Sequence, residues 1–168
     1  GGTNFLDTIG NKIFKNNVLD GAIITNNLIA VYNGTYFILH DENGKKLYDI
    51  KFKKIDQTLT FGLNIAEEFS DGNDNEKTYY LLTYDGRIVT KSNSAFTFTK
   101  EICIARDSTE IVIFNNYGEE INQIEATNVY NIRFESRTKY IIIKNNGFYG
   151  LLDKSWNRGM LDTFWSIR

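Results

Sequence analysis

The feature that most constrains this chain of 168 residues is an internal repeat. A strand–turn–strand pattern recurs about every 38 residues, within the period typical of propellers and repeat arrays. Each copy has a first strand, a variable turn, an apolar second strand, a turn that usually carries glycine, and a third strand of alternating polarity. An isoleucine anchors every copy, at Ile29, Ile65, Ile104 and Ile142. We therefore expect one domain built from copies that bury their apolar faces against one another.

The copies divide the chain into a partial unit followed by four full units. Their approximate bounds are 3–27 for the partial unit and 28–62, 63–100, 101–139 and 140–168 for the full units. The opening stretch resembles a unit without its first strand. We expect that strand to come either from further repeats in a longer array or from another part of the fold, for example by closure of a ring.

Composition and turn chemistry both favour β structure. Proline is absent, whereas the chain contains 12 Phe and 10 Tyr, and aromatic residues favour strands. Dipeptides of Asp or Asn followed by Gly separate the apolar runs and predict type I′ hairpin turns, because these residues tolerate positive φ. The strong signals are Asp20-Gly21, Asn33-Gly34, Asn43-Gly44, Asp85-Gly86 and Asn146-Gly147, and the weaker ones are Gly10-Asn11 and Tyr117-Gly118.

These patterns predict an all-β fold, a repeat of antiparallel β-meanders in a small propeller-like or toroidal arrangement. Radial repetition is favoured because it hides the sheet edges that an open array leaves exposed. An open stack of β-meander repeats is the alternative. The best helix candidate, residues 65–69, is too short to be stable by itself.

Two segments resemble the WG-repeat (KWG-type) modules of bacterial proteins. The pattern of that family is a strand, a G-x-W/Y-G-hydrophobic-hydrophobic-D segment and a glycine turn. Residues 147–154, GFYGLLDK, carry it best, and residues 36–47, YFILHDENGKKL, carry a degraded copy. The Trp-Gly pair itself is absent, and the second and third units keep only the spacing and the hydrophobicity. The resemblance implies an all-β repeat with no activity of its own.

Few residues of the chain suit catalysis. The single histidine, His40, follows an apolar strand and is expected to be a packing or surface residue. The single cysteine, Cys103, alternates with isoleucines and is expected in the core. Paired carboxylates remain an option, because glycoside hydrolases need only two, but the acidic residues sit in or beside turns, where solvated carboxylates are ordinary. We therefore expect no enzymatic activity, no cofactor and no metal site.

Charge and hydropathy argue against two classes of partner. A formal net charge of −2 lacks the basic character of a nucleic-acid-binding protein. No apolar run approaches the roughly 20 residues that a membrane-spanning helix requires.

Candidate binding residues are aromatic side chains near turns and a polar loop. A tryptophan or tyrosine in a turn buries poorly and suits a binding hot spot. Insertions within a repeat often map to its binding face, and residues 71–76 form the most polar insertion. The candidates are Trp156, Tyr117, Tyr149, Trp165, Asp71 and Asn73.

The leading hypothesis is a non-catalytic module that binds a protein partner through its variable turns. The repeat, the variable turn lengths and the lack of catalytic groups support it. The alternative is a lectin-like module, in which Trp156 and Tyr117 stack on a glycan. A carboxylate-dependent glycoside hydrolase of propeller type is less favoured.

Overall fold

The computed structural model describes residues 3–16, 18–25, 27–57, 62–72, 77–98, 102–107, 110–125, 129–134, 140–145 and 148–153. Within these ranges the chain forms strands and no helix, which confirms the predicted all-β class. The strands are β1 (Asp20–Thr25), β2 (Leu28–Tyr32), β3 (Phe37–Asp41), β4 (Phe52–Gln57), β5 (Leu63–Glu68), β6 (Tyr79–Thr83), β7 (Ile88–Ser92), β8 (Thr97–Phe98), β9 (Ile102–Arg106), β10 (Glu110–Asn115), β11 (Glu120–Glu125), β12 (Val129–Phe134), β13 (Tyr140–Asn145) and β14 (Phe148–Asp153).

The described strands pair antiparallel, and in every sheet neighbours in space are neighbours in the chain. One sheet contains β1 to β7, a second β8 to β11 and a third β12 to β14. A single residue pair, Phe37 opposite Phe52, joins β3 to β4, so the first sheet divides there into two meanders. We call β1–β3 with residues 44–48 unit 1, β4–β7 unit 2, β8–β11 unit 3 and β12–β14 unit 4.

Hydrogen bonding starts each unit one strand earlier than the bounds suggested by the repeat. The strand before each anchor strand pairs with it, as β4 does with β5 and β8 with β9. The anchor strands are rich in apolar residues, whereas of the strands before them β4 is charged and β8 has only two residues. That contrast explains why the sequence assigns the preceding strand to the previous copy.

Apolar clusters join consecutive units face to face. Leu81 and Leu82 are neighbours on β6 and point to opposite faces of unit 2, because successive strand residues alternate. One cluster joins units 1 and 2 and contains Leu28, Ala30, Leu39, Phe52, Ala66, Tyr80 and Leu82. The other joins units 2 and 3 and contains Leu63, Leu81, Phe96, Cys103, Ala105 and Phe114. Meanders packed face to face in chain order form the propeller-like arrangement that the repeat predicts.

Asp20-Gly21 is not a turn, contrary to the prediction, because these two residues open β1. A Cβ on Gly21 would stand 2.6 Å from the carbonyl oxygen of Ala30 and 2.9 Å from the Phe5 ring. The glycine therefore permits a close approach of chain segments instead of a left-handed turn.

The predicted type I′ form is also wrong for Asn43-Gly44 and Asp85-Gly86. Both dipeptides belong to loops that are one residue longer than a type I′ hairpin, with positive φ at the glycine. Such a three-residue loop combines a β-turn with a glycine bulge. Asn33-Gly34 does form a turn, closed by the Asn33 amide and the Tyr36 carbonyl, and Asn146-Gly147 lies outside the described residues.

Candidate functional site

Four five-residue turns share one pattern of backbone hydrogen bonds. The amide of the first residue donates to the carbonyl of the fifth, and the amide of a glycine at the fourth position donates to the carbonyl of the first. The φ values of the four glycines lie between 78° and 89°, a conformation that glycine adopts without steric cost. The turns are residues 7–11, 41–45, 83–87 and 115–119.

The side chain of the first residue secures three of these turns. Asn115 Oδ1 accepts hydrogen bonds from the amides of Tyr117 and Glu119, at 2.9 and 3.0 Å. Asp7 and Asp41 accept the two corresponding bonds in their own turns. Since a carboxylate or amide oxygen holds two backbone amides, the shape of each loop is set locally.

Each glycine turn of units 1 to 3 lies against the segment that precedes its unit. A Cβ on Gly86 would stand 2.6 Å from Leu28 Cδ1 and 3.0 Å from Leu47 Cδ1. A Cβ on Gly118 would stand 2.7 Å from Val89 Cγ2. The missing side chain therefore allows the turn to sit directly on an aliphatic residue.

These contacts obey one rule along the chain. At Gly44, Gly86 and Gly118, one aliphatic residue beneath the glycine is the third residue after the glycine of the preceding turn. The contacted residues are Ile13, Leu47 and Val89, and they lie beneath Gly44, Gly86 and Gly118 respectively. Consecutive units are thus stacked with the same offset at three successive junctions.

The stacking brings the four turns to one rim of the repeat, which we call the turn rim. Turn 83–87 lies beside the connection from β1 to β2, where Thr25 Oγ1 donates to the carbonyl of Tyr84 at 2.7 Å. Turn 115–119 lies beside the connection from β4 to β5, where a Cβ on Gly62 would stand 3.1 Å from the Asn116 carbonyl oxygen. The first residues of β2 and β5 in turn pair with the first residues of turns 41–45 and 83–87. Neighbouring turns therefore follow one another at the same end of the strands.

Large apolar side chains stand exposed at three positions on the turn rim. The exposed fraction is 82% for Ile9, 51% for Tyr84 and 71% for Tyr117. Only Tyr84 and Tyr117 stand on consecutive turns, because turn 41–45 lies between the turns of Ile9 and Tyr84 and carries no apolar side chain. All three side chains stand on turns whose backbone is held by hydrogen bonds.

Two acidic groups of the turn rim, Asp7 and Asp85, accept hydrogen bonds inside their own turns. The Asn11 backbone amide donates to Asp7, which lowers the pKa of that carboxyl group. The Thr83 hydroxyl donates to the Asp85 carboxylate and lowers the pKa of Asp85. Both groups are ionised at neutral pH, and their roles in the turn are structural.

The polar loop after β5 lies at the opposite rim. Lys51 Nζ stands 3.8 Å from the Asp71 carboxylate and 4.8 Å from the centroid of the Tyr36 ring. The Tyr36 and Phe69 rings pack with their centroids 5.5 Å apart. Asp71 is therefore part of a small aromatic and ionic cluster that fastens the base of the loop to unit 1.

The structure does not bring the predicted binding residues together. Tyr117 lies on the turn rim, whereas Asp71 lies on the opposite rim, at the other end of the strands. Tyr149 lies in β14, where its backbone is opposite Lys144. Trp156, Trp165 and Asn73 lie outside the described residues.

The sequence indicates Tyr84 only as a turn aromatic just before Asp85-Gly86, and it gives no indication of Ile9. The signal that identifies them is a glycine three residues after Asp, Asn or Thr, since that spacing marks all four turns of the rim. Gly10-Asn11 and Tyr117-Gly118 look like weaker turns in the sequence, but they belong to the same loop type as Asn43-Gly44 and Asp85-Gly86.

His40 and Cys103 take the packing positions that the sequence predicts. The His40 ring packs edge-on against Phe14, with centroids 5.1 Å apart, and its Nδ1 lies 3.2 Å from the Ile38 carbonyl oxygen. Burial lowers the pKa of His40 and raises that of the fully buried Cys103 thiol.

Among the residues that the structure describes, no group of three His, Cys, Asp or Glu side chains is placed to hold a metal ion. In the same part of the chain, no helix is long and apolar enough to cross a membrane.

Comparison with known proteins gives structural likeness only. No family model matches the chain, and no curated protein matches it. Solved structures that resemble it include BamB from Moraxella catarrhalis, at 11% identity and a TM-score of 0.42 over 95% of this chain and 56% of that one. A eukaryotic initiation factor matches at 11% identity and a TM-score of 0.45 over 92% and 45% of the two chains. A variant of Kluyveromyces lactis Hsv2 with loop 6CD replaced by a Gly-Ser linker matches at 12% identity and a TM-score of 0.40 over 98% and 60%. The chain thus spans between 45% and 60% of the length of these structures.

Proposed function

We propose that the protein is a non-catalytic interaction module and that the turn rim binds a protein partner. The observation that supports this most is that Ile9, Tyr84 and Tyr117 are all exposed on the turn rim. Aromatic residues on fixed backbones lose little conformational entropy on binding, so they act efficiently as interface anchors.

The polar groups around Tyr117 favour a protein over a glycan as the partner. A lectin site needs amide and carboxylate groups that are free to bind sugar hydroxyls beside the stacking ring. Asn115 uses its Oδ1 for two backbone amides and its Nδ2 for the Glu119 carboxylate, at 2.7 Å. An apolar or aromatic contact is what the Tyr117 ring most readily offers.

The environment of the ionisable groups supports a role without catalysis. Glu67 is ion-paired with Lys77 at 3.6 Å, and Glu68 accepts a hydrogen bond from the Tyr80 hydroxyl at 2.9 Å. His40 is held in a packing position. These partners give each group a structural role in the fold.

Site-specific photocrosslinking tests the proposal. A photoreactive phenylalanine analogue at position 117 is expected to capture a protein partner from cell extract, whereas the same group at Thr35, exposed on the opposite rim, is not. The partner identified by mass spectrometry is then purified and titrated. We expect a Tyr84→Ser, Tyr117→Ser double variant to weaken binding at least about tenfold, as the loss of two anchors would.

Leu19→Ser is the matched control for that titration. Leu19 is 62% exposed, and one of its methyl groups lies near Gly34 on the opposite rim, so its loss is expected to leave binding unchanged. Equal crosslinking from positions 117 and 35 would contradict the proposal. Glycan-array binding that depends on Tyr117 would replace the protein partner with a glycan.

A further inference from the structure

The turn that carries Tyr84 is held differently from the other three turns of the rim. In each of those turns the side chain of the first residue accepts two backbone amides. In turn 83–87 the first residue is Thr83, whose hydroxyl donates to the Asp85 carboxylate and to the Arg87 carbonyl. Turn 83–87 therefore lacks the acceptor side chain that the other turns have at their first position.

A hydroxyl group from the preceding unit bonds to this turn instead. Thr25 ends β1 of unit 1, and its Oγ1 donates to the Tyr84 carbonyl oxygen at 2.7 Å. The same Oγ1 accepts a hydrogen bond from the Asn27 amide at 3.3 Å. Thr25 is 6% exposed, so little water reaches the donor, and a hydrogen bond shielded from water is electrostatically stronger.

The bond from Thr25 fixes the peptide group that orients the Tyr84 anchor. The Tyr84 carbonyl belongs to the peptide between Tyr84 and Asp85, and its direction sets the backbone angle ψ of Tyr84. The two backbone bonds that define the turn use other groups. Since the Tyr84 side chain is 51% exposed, its position depends strongly on this backbone. An anchor that is fixed before binding loses less conformational entropy when the partner binds.

We propose that Thr25 is a positioning residue for the Tyr84 anchor, so that partner binding at the turn rim depends on the junction between units 1 and 2. This inference rests on the proposed function, because Thr25 acts on the partner only through the turn rim. Tyr84 belongs to unit 2, whereas the hydroxyl that orients it belongs to unit 1. The binding surface is therefore assembled across two units.

Ser92 provides a matched control, because it makes the same pair of bonds at the opposite rim. Its hydroxyl donates to the Arg106 carbonyl of unit 3 at 3.0 Å and accepts from the Ser94 amide at 3.0 Å. Ser92 is 7% exposed, and it pairs with Tyr79, at the end of β6 remote from turn 83–87. Ser92→Ala thus removes an equivalent bond between units without touching the turn rim.

Backbone dynamics test the role of Thr25 without a partner. Nitrogen-15 relaxation of the whole chain gives the order parameters of the Tyr84 and Asp85 amides. We expect values of about 0.85 in the wild type and in Thr25→Ser, which keeps the hydroxyl, and a fall toward about 0.6 in Thr25→Val, which keeps the shape but has no donor. Ser92→Ala is expected to leave both amides unchanged, and the Tyr117 amide is expected to stay constant in every variant.

Titration with the purified protein that is captured from position 117 tests the consequence for binding. Thr25→Val is expected to weaken that binding by about three- to tenfold, the effect of one lost hydrogen bond. Thr25→Ser is expected to restore the affinity, and Ser92→Ala to leave it unchanged. Both Thr25→Val and Ser92→Ala are expected to lower the temperature of thermal unfolding, so the comparison separates positioning from a general loss of stability.

Three results would overturn the role of Thr25. The first is unchanged order parameters at Tyr84 and Asp85 in Thr25→Val. The second is full affinity of Thr25→Val for the captured partner, and the third is an affinity of Thr25→Ser or Ser92→Ala as low as that of Thr25→Val. Each of these leaves the proposed function intact, whereas a failure to capture any partner from position 117 would overturn the proposed function and the role of Thr25 in binding together.

Discussion

The turn glycines show how one absent methyl group sets the distance between units. The four turns have the same backbone bonds and similar φ values, but their surroundings differ. A Cβ on Gly86 would overlap Leu28, whereas a Cβ on Gly10 would meet no atom within 4 Å. Comparing alanine substitutions at Gly86 and Gly10 therefore separates the cost of the left-handed backbone conformation from the cost of overpacking.

Gly86→Ala is therefore expected to destabilise the protein more than Gly10→Ala does. Gly10→Ala should lower the free energy of unfolding by about 1–2 kcal/mol, the cost of positive φ alone. Gly86→Ala should lower the free energy of unfolding by about 1–3 kcal/mol more than Gly10→Ala does, because its methyl group overlaps buried Leu28. Urea denaturation of the two variants measures the difference, and equal losses would show that the turn does not press on unit 1.

His40 predicts a pH dependence of stability. Burial lowers its pKa in the folded chain, with Lys46 lowering it further, while Asp41 and the bond to the Ile38 carbonyl oppose the shift. The folded-state pKa thus lies below the unfolded value of 6.5. The contribution of neutral His40 is fully present above pH 6.5 and decreases as the pH falls through the folded pKa.

We expect wild-type stability to fall more steeply between pH 7.5 and pH 5 than that of His40→Phe, in parallel urea titrations at several pH values. The carboxyl groups that titrate in this range are common to both proteins. An identical pH dependence of the two proteins would contradict the burial of His40 against Phe14.

At the scale of an element, the loops depend on side chains as well as on glycine. The sequence correctly places turns at Asn43-Gly44 and Asp85-Gly86 but assigns them the two-residue form. The loop of Gly86 is held by the Thr83 hydroxyl, which donates to the Asp85 carboxylate and the Arg87 carbonyl, whereas in the loop of Gly44 the Asp41 carboxylate accepts amide bonds from within the turn. A dipeptide rule cannot detect that acceptor.

Asp41→Ala should lower the free energy of unfolding by about 1–2 kcal/mol, because two backbone amides lose their side-chain acceptor. Asp41→Asn keeps an oxygen in the same place and is expected to recover most of the loss. Asn115→Ala and Asn115→Asp repeat the same comparison in the turn of unit 3, where Asn115 Oδ1 accepts the equivalent two amide bonds. Thermal unfolding measures all four variants, and an Asp41→Asn protein as unstable as Asp41→Ala would disprove the role of that oxygen.

At the scale of the whole molecule, stability is distributed over junctions between neighbouring units, as in other repeat proteins. Leu81 and Leu82 are both fully buried, but they belong to different junctions. Replacing either by alanine removes similar volume from a packed core and should cost about 2–5 kcal/mol.

The two replacements should differ in where they loosen the fold. Leu82→Ala is expected to reduce amide hydrogen-exchange protection mainly in β1–β3, and Leu81→Ala mainly in β9 and β10. Exchange followed by mass spectrometry locates the change. Uniform loss of protection in both variants would show that the units do not behave as nearest neighbours.

The sequence predicts the strands and their repetition well, because apolar alternation and turn residues are local signals. Ile29 and Ile65 do mark equivalent strands, and Cys103 is in the core as expected. The offset between units was not predictable, since it depends on contacts such as Leu47 beneath Gly86, across about 40 residues of chain. The separation of Tyr117 from Asp71 follows from that offset and from the strand directions.

The glycine turns of units 1 to 3 rest on aliphatic residues of the segment before them, and a double-mutant cycle on Gly118 and Val89 measures this contact. A methyl group at position 118 would stand 2.7 Å from Val89 Cγ2, and Val89→Ala removes that atom. We predict that Gly118→Ala and Val89→Ala each destabilise the protein, and that the double variant is more stable than the sum of the two losses by about 1 kcal/mol. Strictly additive losses would mean that the turn and Val89 do not touch, and would contradict the stacking of units described above.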